Sequence, residues 1–154
     1  MLPCLSHHQG AWNGSNGFRL MPEDPMFTAP ASANVAAAAG ANLLVVTYTW
    51  AHPDDGSQEG LLVVGRAEDS EGLTAFWGDS WHQQPAPRTL AGSGVGETIQ
   101  LTCTYAGDWQ WQITLDGSDP HILRLQMSNI VPASAASDDL SAGGYLAMDA
   151  ELRR

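Results

Sequence analysis

Apolar residues recur at every second position along most of the chain, which is the pattern of β-strands with one buried face. The clearest examples are residues 98–105 and 109–115, in which each odd-numbered residue is apolar or aromatic. The three residues between them are Ala106-Gly107-Asp108, and glycine adopts the positive φ that such a loop needs. The two segments are therefore predicted to form a β-hairpin.

Six further segments show the same alternation or a dense run of strand-forming residues. They are 11–21, 43–50, 61–64, 73–77, 122–128 and 146–152. Two other segments are shorter or less regular. The alanine-rich segment 31–40 lies between two strands, so a strand is favoured over a helical turn, and segment 89–93 is compatible with a short edge strand. Residues 132–144 are small and polar and predict a loop.

About ten short strands joined by tight turns indicate an up-and-down meander. So long a sheet must curl, split or close, because open edges invite aggregation. We therefore expect an all-β chain that forms a single antiparallel up-and-down β-barrel, with residues 1–154 as one domain. A two-sheet sandwich is the alternative, although its crossovers would need longer connections.

The charge balance excludes several partners. Seventeen acidic residues stand against six basic ones, which gives a formal net charge of −11. All six basic residues are arginines, so chemistry that needs a lysine, such as a Schiff base or a P-loop, is excluded. Scattered cations cannot neutralise a run of phosphates, and an acidic surface is repelled by anionic lipid. We expect neither a nucleic-acid partner nor a membrane partner.

The first ten residues lack the basic and apolar regions of a signal peptide, and no apolar run approaches the ~20 residues of a membrane span. The expected compartment is the cytoplasm. Cys4 and Cys103 are therefore expected to be reduced thiols rather than a disulfide. The sequence does not fix the oligomeric state, and a homodimer is compatible with it.

Four short motifs follow one another along the chain. They are 10–14 (Gly-Ala-Trp-Asn-Gly), 77–80 (Trp-Gly-Asp-Ser), 123–128 (Leu-Arg-Leu-Gln-Met-Ser) and 151–154 (Glu-Leu-Arg-Arg). The Gly-x-Trp start is similar to that of the calycins, the superfamily of lipocalins and fatty-acid-binding proteins. In this order the motifs resemble a family of uncharacterised bacterial lipocalin-like proteins. The resemblance implies a lipocalin-like or fatty-acid-binding-protein-like barrel, with Trp12 as a plug at its base.

The five histidines do not have the spacing of a metal site, and neither a metal nor another cofactor is expected. A related barrel family with a similar start holds haem through a histidine near its C-terminus. Here the last histidine is His121, and the final predicted strand contains none. Cys103 shares the parity of apolar neighbours and is expected to be a packed core thiol.

Asp79, Ser80 and His82 lie within four residues and suggest an alternative, an isomerase-type or hydrolase-type enzyme that uses Asp79 or His82. In a continuous strand Ser80 and His82 would share a face and Asp79 would not. The nucleophile elbow of hydrolases is also missing. We favour the interpretation that Asp79 and Ser80 bond to the turn backbone and cap the strand end. No catalytic residue is assigned.

The aromatic residues are the main functional signal, because a barrel presents one face of every strand to its interior. Aromatic side chains there would line a cavity and offer N–H and O–H groups to a ligand. Arg124 could add a cation, although its parity is opposite to that of its apolar neighbours. The predicted ligand-binding residues are Tyr48, Trp50, Trp77, Trp81, Trp109, Trp111 and Arg124.

These residues predict a non-enzymatic binder of a small apolar or amphipathic molecule in the barrel interior. Two alternatives remain open. One is the enzyme just described, and the other is a filled barrel that acts as a structural or protein-interaction domain.

Overall fold

A computed structural model describes residue 2 and residues 5–68, 71–82 and 86–154. These ranges contain ten β-strands and two short 3-10 turns, Ser6–His8 and Ala133–Ala135. The strands are β1 (Gly10–Phe18), β2 (Phe27–Ala38), β3 (Leu43–His52), β4 (Gly56–Arg66), β5 (Leu73–Asp79), β6 (Arg88–Val95), β7 (Thr98–Tyr105), β8 (Trp109–Asp116), β9 (Ile122–Val131) and β10 (Gly143–Arg153).

Each strand pairs antiparallel with the next one along the chain, and β1 pairs with β10, so that the sheet closes on itself. The predicted single antiparallel up-and-down β-barrel is confirmed, and it is consistent with the lipocalin and fatty-acid-binding-protein type of barrel. Closure excludes the two-sheet sandwich. None of the helical segments among the described residues has the length and apolarity needed to cross a bilayer.

The alanine-rich segment is a strand, as predicted, and it begins earlier than expected. β2 starts at Phe27 and contains Pro30. Its pairing with β3 begins only at Ser32, so Pro30 lies where β2 has no β3 partner. The missing N–H of proline therefore costs no ladder hydrogen bond on that side.

Two details of the predicted strands are wrong. β6 pairs with both β5 and β7 and is not an edge strand, because a closed barrel has no edges. β1 ends at Phe18, and Leu20 lies beyond it with 59% of its surface exposed. The predicted hairpin is confirmed: β7 and β8 pair in register, and Ala106 and Gly107 both have positive φ.

The predicted loop 132–144 contains the short turn Ala133–Ala135, but β10 already begins at Gly143. Cys103, on β7, is a free thiol, and Cys4, the other cysteine, lies outside the described residues.

Inward-facing side chains from all ten strands form one hydrophobic cluster inside the barrel. We call the end where β1 begins the base. There Leu5 is fully buried, and its N–H donates to a carboxylate oxygen of Glu97 at 2.6 Å. Trp12 is also fully buried and donates its indole N–H to the His8 carbonyl at 2.7 Å, while Arg154 lies over its ring. Residues 5–9 therefore cover the base, and Trp12 occupies the plug position that the resemblance implied.

The opposite end, which we call the mouth, is where β1 ends and β2 begins. The loops 19–26, 53–55 and 106–108 lie there, together with the turn after β5 and the segment between β9 and β10. The candidate functional site is at this end.

Candidate functional site

Four of the predicted ligand-binding residues point into the barrel near the mouth. Tyr48 and Trp50 come from β3, Trp77 from β5 and Trp111 from β8. All four are buried, with at most 8% of their surface exposed. The rings of Trp77 and Trp111 are nearly parallel, at 7°, with centroids 5.9 Å apart. Because alternate residues of each strand face inward, these four side chains meet inside the barrel.

Asp79, the last residue of β5, is the polar centre of this group and is 5% exposed. One of its carboxylate oxygens accepts from the Tyr48 hydroxyl at 2.7 Å and from the Trp50 indole N–H at 3.1 Å. The other accepts from the backbone N–H groups of Trp81 at 2.9 Å and His82 at 3.0 Å. A carboxylate has about four acceptor positions, so these four donors use its capacity.

Tyr48 links this centre to a second tryptophan, because its hydroxyl accepts from the indole N–H of Trp77 at 2.8 Å. Burial, and then the neighbouring carboxylate of Asp79, hold the pKa of Tyr48 well above its usual value. The ring fits because the residue opposite on β4 is Gly60. A Cβ at Gly60 would lie 2.1 Å from the Tyr48 ring.

The chain turns immediately after Asp79. Ser80 is exposed, and its hydroxyl accepts from the backbone N–H of Glu59 on β4. The prediction that Asp79 bonds to the turn backbone is confirmed, whereas the backbone partner of the Ser80 hydroxyl lies on β4 and not in the turn. The expectation that Ser80 and His82 share one face and Asp79 lies on the other is wrong, however, because it assumed a continuous strand. The turn instead folds Trp81 and His82 back over the mouth, on the same side as Asp79.

The His82 ring lies among aromatic side chains. It stacks on Trp50 with centroids 5.4 Å apart, and its centroid lies 4.8 Å from that of Trp111. Its Nε2 is 3.0 Å from the sulfur of Met148. Burial lowers the pKa of His82 from 6.5 to about 4, although the Asp79 carboxylate opposes this effect. The ring is therefore neutral at neutral pH.

A pocket of about 120 Å³ remains beside His82 at the mouth. We call it the mouth pocket, and its lining residues are Trp77, His82, Arg88, Cys103, Tyr105 and Trp111. Tyr105 donates its hydroxyl to the side-chain oxygen of Asn129, which fixes the phenol at the rim. Burial raises the pKa of Cys103, so its thiol is protonated at neutral pH.

The three indoles at this level differ in one respect. Trp50 donates to Asp79 and Trp77 donates to Tyr48. The indole N–H of Trp111 is buried and has no hydrogen-bond partner among the described residues. A buried donor without an acceptor costs about 1–3 kcal/mol. The wall of the mouth pocket thus carries an unmet donor.

The other predicted residues lie outside this pocket. Trp81 is half-buried, stacks on His52 at 4.6 Å and donates its indole N–H to the carboxylate of Asp55 at 2.8 Å. Trp109 is half-buried at the start of β8, with its ring centroid 6.4 Å from that of Tyr105. Arg124 is on the outer face of the barrel.

The outer position of Arg124 follows from its partner. It forms an ion pair with Glu151 of β10 at 3.2 Å, and its side chain is 37% exposed. Arg124 therefore does not reach the interior, and its prediction as a ligand-binding residue there is wrong; its parity, opposite to that of its apolar neighbours, had indicated the outer face.

Sequence reasoning missed His82, Arg88, Cys103 and Tyr105 as lining residues. A signal existed for three of them: Cys103 and Tyr105 share the parity of buried Leu101, and Arg88 shares that of buried Leu90. For His82 there was none, because the alternation of faces ends with the strand.

Among the described residues, no group of three or more His, Cys, Asp or Glu side chains is placed to hold a metal ion. Neither a comparison with protein-family models nor one with curated proteins found a match to this chain. The geometry of the mouth pocket is thus the basis for a functional proposal.

Proposed function

We propose that the protein is a lipocalin-like, non-enzymatic binder of one small molecule, which it takes at the mouth pocket. The mouth pocket itself carries this proposal, because it combines aromatic walls with a buried N–H group that lacks an acceptor. Aromatic walls contribute binding energy through apolar burial, and a few polar groups orient the ligand.

The volume limits the size of the ligand. An apolar cavity of roughly 150 Å³ holds benzene, and the mouth pocket has about 120 Å³. Below it the interior is occupied by the hydrophobic cluster, and the base is covered. We therefore expect a ligand part about the size of one ring to enter the pocket, and not a long acyl chain.

The Asp79 and His82 pair gives little support to the enzyme alternative. Both oxygens of Asp79 are occupied by hydrogen bonds from within the protein. Asp79 accepts from the backbone of His82, whereas the ring nitrogen Nε2 of His82 faces the sulfur of Met148. An acid–base pair needs a free position within reach of a substrate proton.

The proposal can be tested by nuclear magnetic resonance on the indole N–H groups of the six tryptophans. Single-ring probes, benzyl alcohol, toluene and benzoate, are titrated into the protein, with oleate as a large comparison. We expect at least one single-ring probe to shift the Trp77 and Trp111 signals, which Trp→Phe variants assign. Oleate should leave these two signals unchanged.

A pair of variants on β7 locates the site. Cys103→Leu fills the mouth pocket and should abolish the shifts. Thr104→Leu makes a similar change at the next residue, which is exposed on the outer face, and should leave them intact. If no single-ring probe shifts either signal, the binding proposal is wrong and the filled-barrel alternative is favoured.

A further inference from the structure

The mouth pocket contains a cation that has no counter-charge among the residues that the structure describes. Arg88 begins β6 on the inward parity and lines the pocket. Two other arginines, Arg124 and Arg153, share the carboxylate of Glu151. No ion pair or side-chain hydrogen bond joins the Arg88 guanidinium to another described residue. The Arg88 side chain is exposed, and among the described residues Arg19 and Arg66 likewise form no ion pair.

No acidic side chain is among the described residues that line the pocket. Asp79 lies beneath, but four donors already use its oxygens. It therefore cannot also accept from the indole N–H of Trp111. A molecule that enters the pocket is one source of the acceptor that Trp111 lacks among the described residues.

From the unpaired Arg88 and the unmet N–H of Trp111 we infer that the mouth pocket recognises a small planar anion, specifically a single-ring carboxylate. The ring lies against the aromatic walls, and the carboxylate accepts from both Arg88 and Trp111. This inference rests on the proposed function and names the chemical class of its ligand.

The chemistry of the two donors distinguishes this class from neutral molecules of the same size. A guanidinium binds a carboxylate with charge-assisted hydrogen bonds, which are about twice as strong as neutral ones. A ring alcohol can offer one acceptor to Trp111 but no charge to Arg88. Because Arg88 is exposed and water screens its charge, we expect the anion to bind about two- to fivefold more tightly than its neutral counterpart.

The test compares benzoate with benzyl alcohol in the unmodified protein and in three variants. Arg88→Met removes the guanidinium and should reduce the preference for benzoate to about one. Arg88→Lys keeps the charge without the planar fork and should retain part of the preference. Arg66→Met is the matched control: it changes the net charge equally, and Arg66 does not line the mouth pocket. It should leave the preference unchanged.

Each result has a distinct meaning. In the unmodified protein, benzoate should shift the Trp111 indole proton downfield as its N–H gains an acceptor. Equal affinity for the two probes, or a preference that persists in Arg88→Met, would overturn this inference and leave the proposed function standing. Failure of both probes and of toluene to bind would overturn the proposed function as well.

Discussion

Replacement of Asp79 by asparagine tests whether the buried carboxylate organises the mouth of the barrel. The substitution preserves the size and shape of the side chain. It replaces one of two accepting oxygens by an amide group that only donates. Four donors now converge on the carboxylate, two on each oxygen. Whichever way the amide is oriented, two of them lose their acceptor.

The magnitude follows from which donors are lost. If the remaining oxygen stays with the turn backbone, the amide faces the Tyr48 hydroxyl and the Trp50 indole N–H. The Tyr48 hydroxyl already accepts from the indole N–H of Trp77. If it rotates to accept from the new amide group as well, its own proton has no acceptor. Each buried donor without an acceptor costs about 1–3 kcal/mol. Relief of the desolvated charge offsets part of this, and we expect a net loss of about 2–4 kcal/mol.

Urea unfolding followed by tryptophan fluorescence measures the loss. The control is Asp149→Asn, because Asp149 is half-buried on β10 and, in the described part of the chain, accepts one side-chain hydrogen bond, from the amide of Gln126 at 3.0 Å. That change should cost less than about 1 kcal/mol. The reasoning is refuted if Asp79→Asn is as mild as the control, since the four hydrogen bonds would then contribute little to stability.

Two further predictions concern the same region. Gly60→Ala should destabilise the protein by about 1–3 kcal/mol or more, because its Cβ would overlap the Tyr48 ring. Gly78→Ala on the adjacent strand meets open space and should be nearly neutral in the same urea assay. Similar losses of stability in the two variants would contradict the overlap between a Cβ at Gly60 and the Tyr48 ring. Because burial lowers the pKa of His82 to about 4, the unfolded chain binds a proton that the folded chain excludes. The free energy of unfolding should therefore have its full value above about pH 6.5 and fall by roughly 2–3 kcal/mol towards pH 4.5. The His82→Gln variant should lack this part of the loss.

Much of the fold could be predicted from the sequence because each strand has one buried face. Alternation placed the β7–β8 hairpin correctly, and its loop contains the glycine that the turn requires. The alanine-rich β2 gave a weaker signal, since Ala31 and Ala33 are small inward residues that leave room for the large aromatics. Leu20 was misassigned because parity does not indicate where a strand ends.

The candidate site could be predicted only in part. Parity correctly placed the four buried aromatics, and it indicated that Arg124 faces outward. His82 reaches the pocket through a turn, and the position of its ring depends on long-range contacts such as that between its Nε2 and the sulfur of Met148. Arg88 was missed because the predicted strand began one residue too late.

The balance of buried donors and acceptors supports the proposal that a ligand binds at the mouth rather than deeper in the interior. The Asp79 carboxylate and the Tyr48 hydroxyl together satisfy the indoles of Trp50 and Trp77 and close the turn after β5. No acceptor of this network is left for Trp111. A ligand that supplies one recovers the cost of that unmet donor, so binding and folding stability are coupled. On the proposed function, the same molecule also lies beside the guanidinium of Arg88, which forms no ion pair among the described residues, and this favours an anion.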